Sequence, residues 1–155
     1  MLEFFKKLEK SHVFKDWKKE NKNYFLYSCF SIIDKKEEFW QFDYYSKKLN
    51  KITSFKVSEN IEIFPEDDIF SDGKNTINKL DLKDLKIEFN EISEKLRKKH
   101  KDVVKEIIIL QNSDGLIWNI SLLTSTMNLI NVKACASTGK ILEEKSESVL
   151  NFGKN

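Results

Sequence analysis

Residues 104–123 read VKEIIILQNSDGLIWNISLL, and residues 24–45 read YFLYSCFSIIDKKEEFWQFDYY. In the first stretch the apolar run from Ile107 to Leu110 stops at Asn112, Ser113, Asp114 and Gly115, residue types that favour tight turns. Apolar residues then recur at every second position, Leu116, Trp118, Ile120 and Leu122, the period of a half-buried strand. The pattern is a β-hairpin. The second stretch follows the same plan: almost every residue from Tyr24 to Ile33 is apolar or small, which predicts a central strand buried on both faces. Residues 34–37 form a polar turn, and Trp40, Phe42 and Tyr44 then alternate with Gln41 and Asp43. Trp40 and Trp118 fall in matching places, and a helical pattern precedes each stretch. The prediction is an α+β fold of two pseudo-repeated halves, each a helix followed by an antiparallel meander.

Working outward, residues 2–21 are helical in character, but their apolar face moves. At 100° per residue Phe4, Phe5 and Leu8 share one side, while Val13, Phe14 and Trp17 fall nearly opposite. One straight helix cannot bury both stripes against one surface. Ser11 is a good N-cap, so a break or bend is expected near Lys10 to His12, with the second segment as the core helix; the alternative is an N-terminal turn that packs on a partner or on the other half through Phe4 and Phe5. Leu85, Ile87 and Phe89 alternate; from Phe89 the spacing becomes helical through Ile92, Leu96, His100 and Val103, with the basic run 97–101 at the negative end of the helix dipole. The remaining strands are expected at 52–57, around Ile61 and Ile63, at 129–136, and as a short final strand after the turn Ser137, Thr138, Gly139, Lys140. The tail from Ser146 is expected to be peripheral. Pro65 closes the first unit, and residues 66–79, EDDIFSDGKNTINK, read as the linker. One domain over 1–155 is therefore expected, with halves at about 1–64 and 80–146 joined near 65–79.

Composition excludes several functions. Lys plus Arg number 27 against 25 Asp plus Glu, a net charge of +2, too balanced for the footprint of a nucleic-acid binder. Arg97 is the single arginine, and bidentate reading of guanine or phosphate leans on arginine. Cys29 and Cys135 match neither a disulfide framework nor a CxxC motif, so free thiols in a reducing compartment are expected. The start MLEFFKKLEK carries charge from its third residue and lacks the apolar core of a signal peptide, and no apolar run reaches the ~18 residues of a membrane span. The expectation is a cytoplasmic protein without a membrane span.

No catalytic, metal or nucleotide signature is present, so no cofactor is expected. His12 and Asp16, one turn apart, read as a surface ion pair, and His100 as a half-buried histidine at a helix end. Two histidines and two cysteines without close-spaced ligand pairs do not read as a zinc site. Glu66, Asp67, Asp68 and Asp72 before Gly73 offer hard oxygens but lack the spaced acidic ligands and the closing Glu of a calcium loop. Trp40 and Trp118 sit on the apolar parity and read as core. On the opposite parity lie Gln41, Asp43, Asn119, Ser121, Asn131, Lys133 and Cys135, a polar face that becomes a candidate binding surface if the sheet curves. Lys6, Lys7, Lys10, Lys15, Lys18 and Lys19 are interspersed with Glu3, Glu9, Asp16 and Glu20 and read as a solvated helix face rather than a membrane patch.

Residues 130–144, INVKACASTGKILEE, follow the strand WNISLL and the helix that starts at Phe89. Together they resemble the PepSY-like pattern, in which a helix precedes a strand carrying Trp and then a strand ending in a Thr-Gly-Lys or similar turn. Here those positions are Trp118, Val132, Ala134, Thr138, Gly139, Lys140 and Ile141. The segment with Phe14, Trp17, Lys18, Lys19 and Asn21 is also similar to small uncharacterised archaeal proteins. The second half carries the better match, with the first a degenerate copy. The resemblance implies a cystatin-like roll, a curved antiparallel sheet wrapping a helix, and a role as a propeptide-like, inhibitory or ligand-sensing module beside peptidases or membrane proteins.

The function expected from these residues is a non-enzymatic binding or interaction module that recognises a protein, peptide or small ligand through its sheet face or by strand addition at an edge, as a monomer or homodimer. The competing expectation is a small hydrolase or isomerase with a pocket between helix and sheet, marked by a perturbed Asp43. Nucleic-acid binding would need a contiguous lysine face on both helices.

Overall fold

The apolar stripe of the N-terminal segment changes sides at Ser11, and the backbone breaks there. A computed structural model, which describes residues 1–34, 38–68 and 76–151, places helix α1 at Leu2–Lys10 and helix α2 at His12–Glu20. Ser11 caps α2 by accepting a hydrogen bond from the Phe14 amide at 3.2 Å, while its own hydroxyl donates to the Leu8 carbonyl at 2.7 Å. Four strands follow, β1 (Phe25–Ile33), β2 (Trp40–Ser46), β3 (Lys51–Val57) and β4 (Ile61–Asp68). Helix α3 (Phe89–Lys99) leads into β5 (Val103–Asn112), β6 (Leu116–Thr124), β7 (Asn128–Cys135) and β8 (Ile141–Ser148). All eight strands form one antiparallel sheet in the order β4-β3-β2-β1-β5-β6-β7-β8, with the two meanders joined along β1 and β5. The fold is α+β. Among the described residues no helix is long and apolar enough to cross a membrane.

The helices cover one face of the sheet, and the aromatic alternation of the strands supplies what they pack on. Phe5 of α1 meets Phe42 with ring centroids 5.3 Å apart. Phe14 and Trp17 of α2 lie against Phe55 at 5.3 and 5.0 Å, and each also contacts Tyr44. In the other half Phe89, at the first turn of α3, sits 6.4 Å from Trp40 and 5.8 Å from Trp118, and the two Trp rings are 6.1 Å apart. Burying side chains of this size contributes roughly 1.5–3 kcal/mol each, so this layer is the main source of stability. Phe4 and Phe5 pack on the chain's own core rather than waiting for a partner, whereas Val13, expected on the buried stripe, is 46% exposed.

A buried charge also fastens α3 to the sheet. Glu106 of β5 faces the helices with no exposed surface, and its carboxylate accepts from Arg97 Nε at 2.8 Å and from Ser93 Oγ at 3.1 Å. The single arginine of the chain is thereby assigned to architecture. At the far end of α3, His100 caps the helix with its side chain half-buried, and its Nε2 lies 3.0 Å from Glu144 of β8.

Several expectations are corrected. β1 is not buried throughout on both faces; Phe25, Tyr27, Phe30 and Ile32 on the side away from the helices are half-buried, as are Ile107 and Ile109 of β5, because among the described residues no helix covers that face. The chain does not stop pairing at Pro65, since β4 continues to Asp68; an edge strand with a register shift tolerates a missing amide donor. Leu85 to Phe89 form no strand, and a 3-10 turn at Leu82–Asp84 precedes the helix, which ends at Lys99. β8 is eight residues long and pairs through Ser148, so Ser146 is part of the sheet. The turn residues 35–37 and linker residues 69–75 lie outside the described residues.

Candidate functional site

Strand alternation puts Gln41, Asp43, Asn119, Ser121, Asn131, Lys133 and Cys135 on the open face of the sheet, away from the helices. The register aligns them in rows. One row runs Glu62, Lys56, Gln41, Phe30, Ile109, Asn119, Lys133, Glu143, and crosses all eight strands. A second runs Phe64, Ser54, Asp43, Ser28, Gln111, Ile117, Cys135. The centre of the face is apolar and its flanks are polar. The candidates therefore form two groups, with β2 and β6 three strands apart, about 14 Å at normal strand spacing.

In the β6–β8 group the polar atoms satisfy one another. Ser121 Oγ donates to Asn131 Oδ1 at 2.7 Å, and Lys133 Nζ lies 3.2 Å from Glu143, which Lys145 also contacts. Lys145 and Lys133 hold the Glu143 carboxyl below its ordinary range. The depression here is small, about 210 Å³. These features are those of a solvated sheet surface.

The β1–β4 group is different. Asp43 is only 7% exposed. Its Oδ1 accepts from Ser54 Oγ at 2.5 Å and from Gln41 Nε2 at 2.8 Å, and Ser28 adds a third hydrogen bond. Burial pushes the Asp43 carboxyl up from the ordinary aspartate range, and the three donors oppose that shift without cancelling it. Beside it a cavity of about 440 Å³ is lined by Tyr27, Gln41, Asp43, Ser54, Phe64 and Asp67 among others. A second cavity of about 530 Å³ shares Tyr27 and is walled by Asn78, Gln111, Asn112 and Asp114. Burial, and then the charge of Asp43, raise the Tyr27 hydroxyl well above the ordinary tyrosine range.

Two irregularities in pairing build this place. The β1–β2 register shifts between Leu26 and Ser28, so Tyr27 is the extra residue of a bulge and turns into the open face beside Tyr45, 6.1 Å away. The β3–β4 register shifts between Ile52 and Ser54, opposite the segment between Phe64 and Asp67 that borders the cavity. Tyr27, Ser28, Ser54 and Gln111 were missed from sequence; the visible signal was Ser28, a polar residue inside an otherwise apolar run, and Ser54, on the polar parity of its strand. Asp67, read as linker, lies in β4 on the rim of the cavity.

The other candidates are dispersed. Asp16 pairs with Lys19 at 2.9 Å rather than with His12, whose charge is the smallest contribution to the lowered Asp16 carboxyl. Cys29 faces the helices, where burial raises its thiol; Cys135 lies at the end of β7 on the opposite face, where the Thr138 hydroxyl lowers it. Trp40 and Trp118 are fully buried, with Trp118 Nε1 donating to the Ile87 carbonyl at 2.9 Å, so no aromatic cage exists at these two positions. Among the described residues no group of three or more His, Cys, Asp or Glu side chains converges for a metal. The space between helices and sheet, where a pocket was the alternative expectation, is filled by Phe42, Phe55, Phe89 and the two Trp rings.

No protein-family model and no curated protein sequence matches the chain. Among solved structures the chain is similar to a putative lipoprotein from Clostridium difficile 630, with a TM-score of 0.63 and 17% identity over 87% of this chain and 90% of that one. At this identity the likeness shows a shared fold.

Proposed function

We propose that this chain is a non-enzymatic binding module that takes its ligand on the open face of the sheet. The observation that carries the reading is the pair of cavities that share Tyr27, one of them at the buried Asp43, next to the half-buried apolar centre of Phe30, Ile32, Ile107 and Ile109. Strand addition is less well supported than face binding. The β8 edge carries Glu143, Glu144, Lys145 and Glu147, and the β4 edge contains Pro65 and a register shift, features that resist pairing with another chain. A monomer, or a homodimer formed otherwise than through these edges, fits that arrangement. The test is capture with the tagged protein from its native cells. Binding that survives Leu142→Lys on β8 and disappears with the paired change Phe30→Ser and Ile109→Ser supports the face; the reverse pattern refutes it.

The α+β architecture is further read as two degenerate copies of a PepSY-like, cystatin-like unit. The first half supplies two helices and the second supplies α3, each followed by a four-strand meander, and the strand order runs outward from β1 and β5. The copies differ by a residue: superposing Trp40 on Trp118 sets helix-facing Cys29 on outward-facing Ile107. A cytoplasmic location is proposed on the two thiols, which lie on opposite faces of the sheet and cannot pair within one chain; cell fractionation tests it. Nucleic-acid binding has little support, because Lys7 donates to the Ser58 and Glu59 carbonyls, Lys18 to the Tyr24 carbonyl, and Lys19 pairs with Asp16.

One observation favours the enzyme reading: Asp43 is a carboxyl with a raised pKa in a polar cavity. Against it, the Asp43 carboxylate is held by three hydrogen-bond donors, and among the described residues neither cavity is lined by a histidine, lysine or cysteine that would complete an acid–base or nucleophilic pair.

A further inference from the structure

The two cavities that share Tyr27 have a common chemical bias. Among the described residues neither is lined by a Lys or Arg. Carboxylates line them instead, Asp43 in one and Asp114 in the other, with Asp67, which has an interaction of its own, at the border of the first. The charged groups of this described lining are acidic, which disfavours phosphates and carboxylates and favours cations.

Asp43 makes the bias specific. At 7% exposure its carboxylate is almost out of water, and all three of its hydrogen-bond partners, Ser54, Gln41 and Ser28, are neutral. Neutral donors stabilise a buried carboxylate only in part; the remaining desolvation cost is recovered by a counter-charge nearby. For the other buried carboxylate, Glu106, such a counter-charge is built in as Arg97. Here the place where a cation would stand is a cavity of about 440 Å³ with the aromatic rings of Tyr27 and Phe64 in its wall, and aromatic faces attract organic cations. The two bulges that shape the cavity are the kind of irregularity that re-aims side chains at functional sites.

We infer that the cavity over Asp43 binds an alkylammonium group, with Asp43 as its counter-ion and Tyr27 and Phe64 as its apolar wall. This rests on the open-face reading and adds the class of ligand. The second cavity, across Tyr27, gives room for the remainder of a larger amine. The same group is presented by a free small amine and by a lysine side chain of a peptide, and two arms separate them.

The experiment follows backbone amides and the Gln41 side-chain amide by NMR while n-butylammonium chloride, a tripeptide with a central lysine, and neutral n-butanol are added in turn. Saturable shifts at Gln41, Ser54 and Gln111 with an ammonium probe and not with n-butanol are expected. Tighter binding of the tripeptide than of n-butylammonium assigns the lysine source, and the reverse the free amine. Asp43→Asn, which keeps size and hydrogen-bonding shape, weakens binding about tenfold or more while leaving the amides around Ser121 and Asn131 unmoved, a check that the fold persists. Tyr27→Leu is the second variant and weakens binding without removing the charge. Equal response to n-butanol, or ammonium binding undiminished in Asp43→Asn, overturns the cation assignment and leaves the open face as a site for neutral ligands. Absence of any saturable shift with either ammonium probe also overturns it, and the capture experiment then decides the open-face reading separately.

Discussion

Replacing Arg97 by Met removes the charge that compensates Glu106 and keeps most of the apolar stem. Glu106 has no exposed surface, so the variant leaves a carboxylate in the helix–sheet interior with Ser93 as its remaining partner. Breaking a fully buried pair costs about 3–5 kcal/mol. The Arg97 side chain is 53% exposed and Ser93 still donates, which places the expected loss lower, at about 2–3 kcal/mol. For a chain of this length, each kcal/mol shifts the melting temperature by about 2–4 °C, so a fall of roughly 4–12 °C is expected. The double variant Arg97→Met, Glu106→Leu removes both charges and fills the site with apolar atoms, and its stability should return to within about 1 kcal/mol of the parent. Urea denaturation of the parent, both single variants and the double completes a cycle from which the coupling is read directly. A loss below about 0.5 kcal/mol for Arg97→Met, or a double variant less stable than Arg97→Met alone, would refute the claim that Arg97 acts by compensating a buried charge.

Other outcomes follow from the same geometry. Phe89→Ala opens a hole between Trp40 and Trp118 and should cost about 3–5 kcal/mol, measured by urea unfolding with Trp fluorescence; a loss under about 1 kcal/mol would mean the two Trp rings are not held by Phe89. Native protein should lose one thiol quickly to iodoacetamide, Cys135, because the Thr138 hydroxyl favours its thiolate, while buried Cys29 reacts only on unfolding; Thr138→Val should slow the first reaction and move its pH midpoint upward. Asp43→Asn should gain stability relative to the parent as pH rises. The folded-state pKa of Asp43 lies above its unfolded value, so the folded state binds the extra proton, and that stabilisation fades between the ordinary aspartate range and the raised value. Parallel melting curves of the two proteins at pH 4 and pH 7 check it, and a melting temperature of Asp43→Asn that falls relative to the parent between pH 4 and pH 7 contradicts the reasoning.

Local physics decided what the sequence by itself could determine. The 3.6-residue spacing from Phe89 to Leu96 yields α3, the period of two around Trp118 yields β6, and Asp114 and Gly115 adopt the positive φ values, 55° and 121°, that their turn requires. Ser11 announced its break because an N-cap acts within three residues. The parity that set Gln41, Asp43, Asn119, Ser121, Asn131 and Lys133 apart from the Trp face also held, since alternation needs only the strand itself.

What crosses strands was invisible. Nothing local says that β1 pairs with β5 or that the helices cover one face only, so β1 was read as buried on both faces when its outer side is half-buried. Glu106 sits in an unremarkable VKEIIIL run, and only the packing of α3 gives it Arg97. The bulge at Tyr27 comes from the register between β1 and β2, and the burial of Asp43 from neighbours on three strands; alternation ranks Asp43 equal to Asn131, yet one is 7% exposed and the other faces water. Sequence periodicity thus determined which side of its strand each residue faces. Tertiary pairing alone decided which of those residues lose water and which partners they meet, because desolvation depends on non-local neighbours that no spacing along the chain encodes.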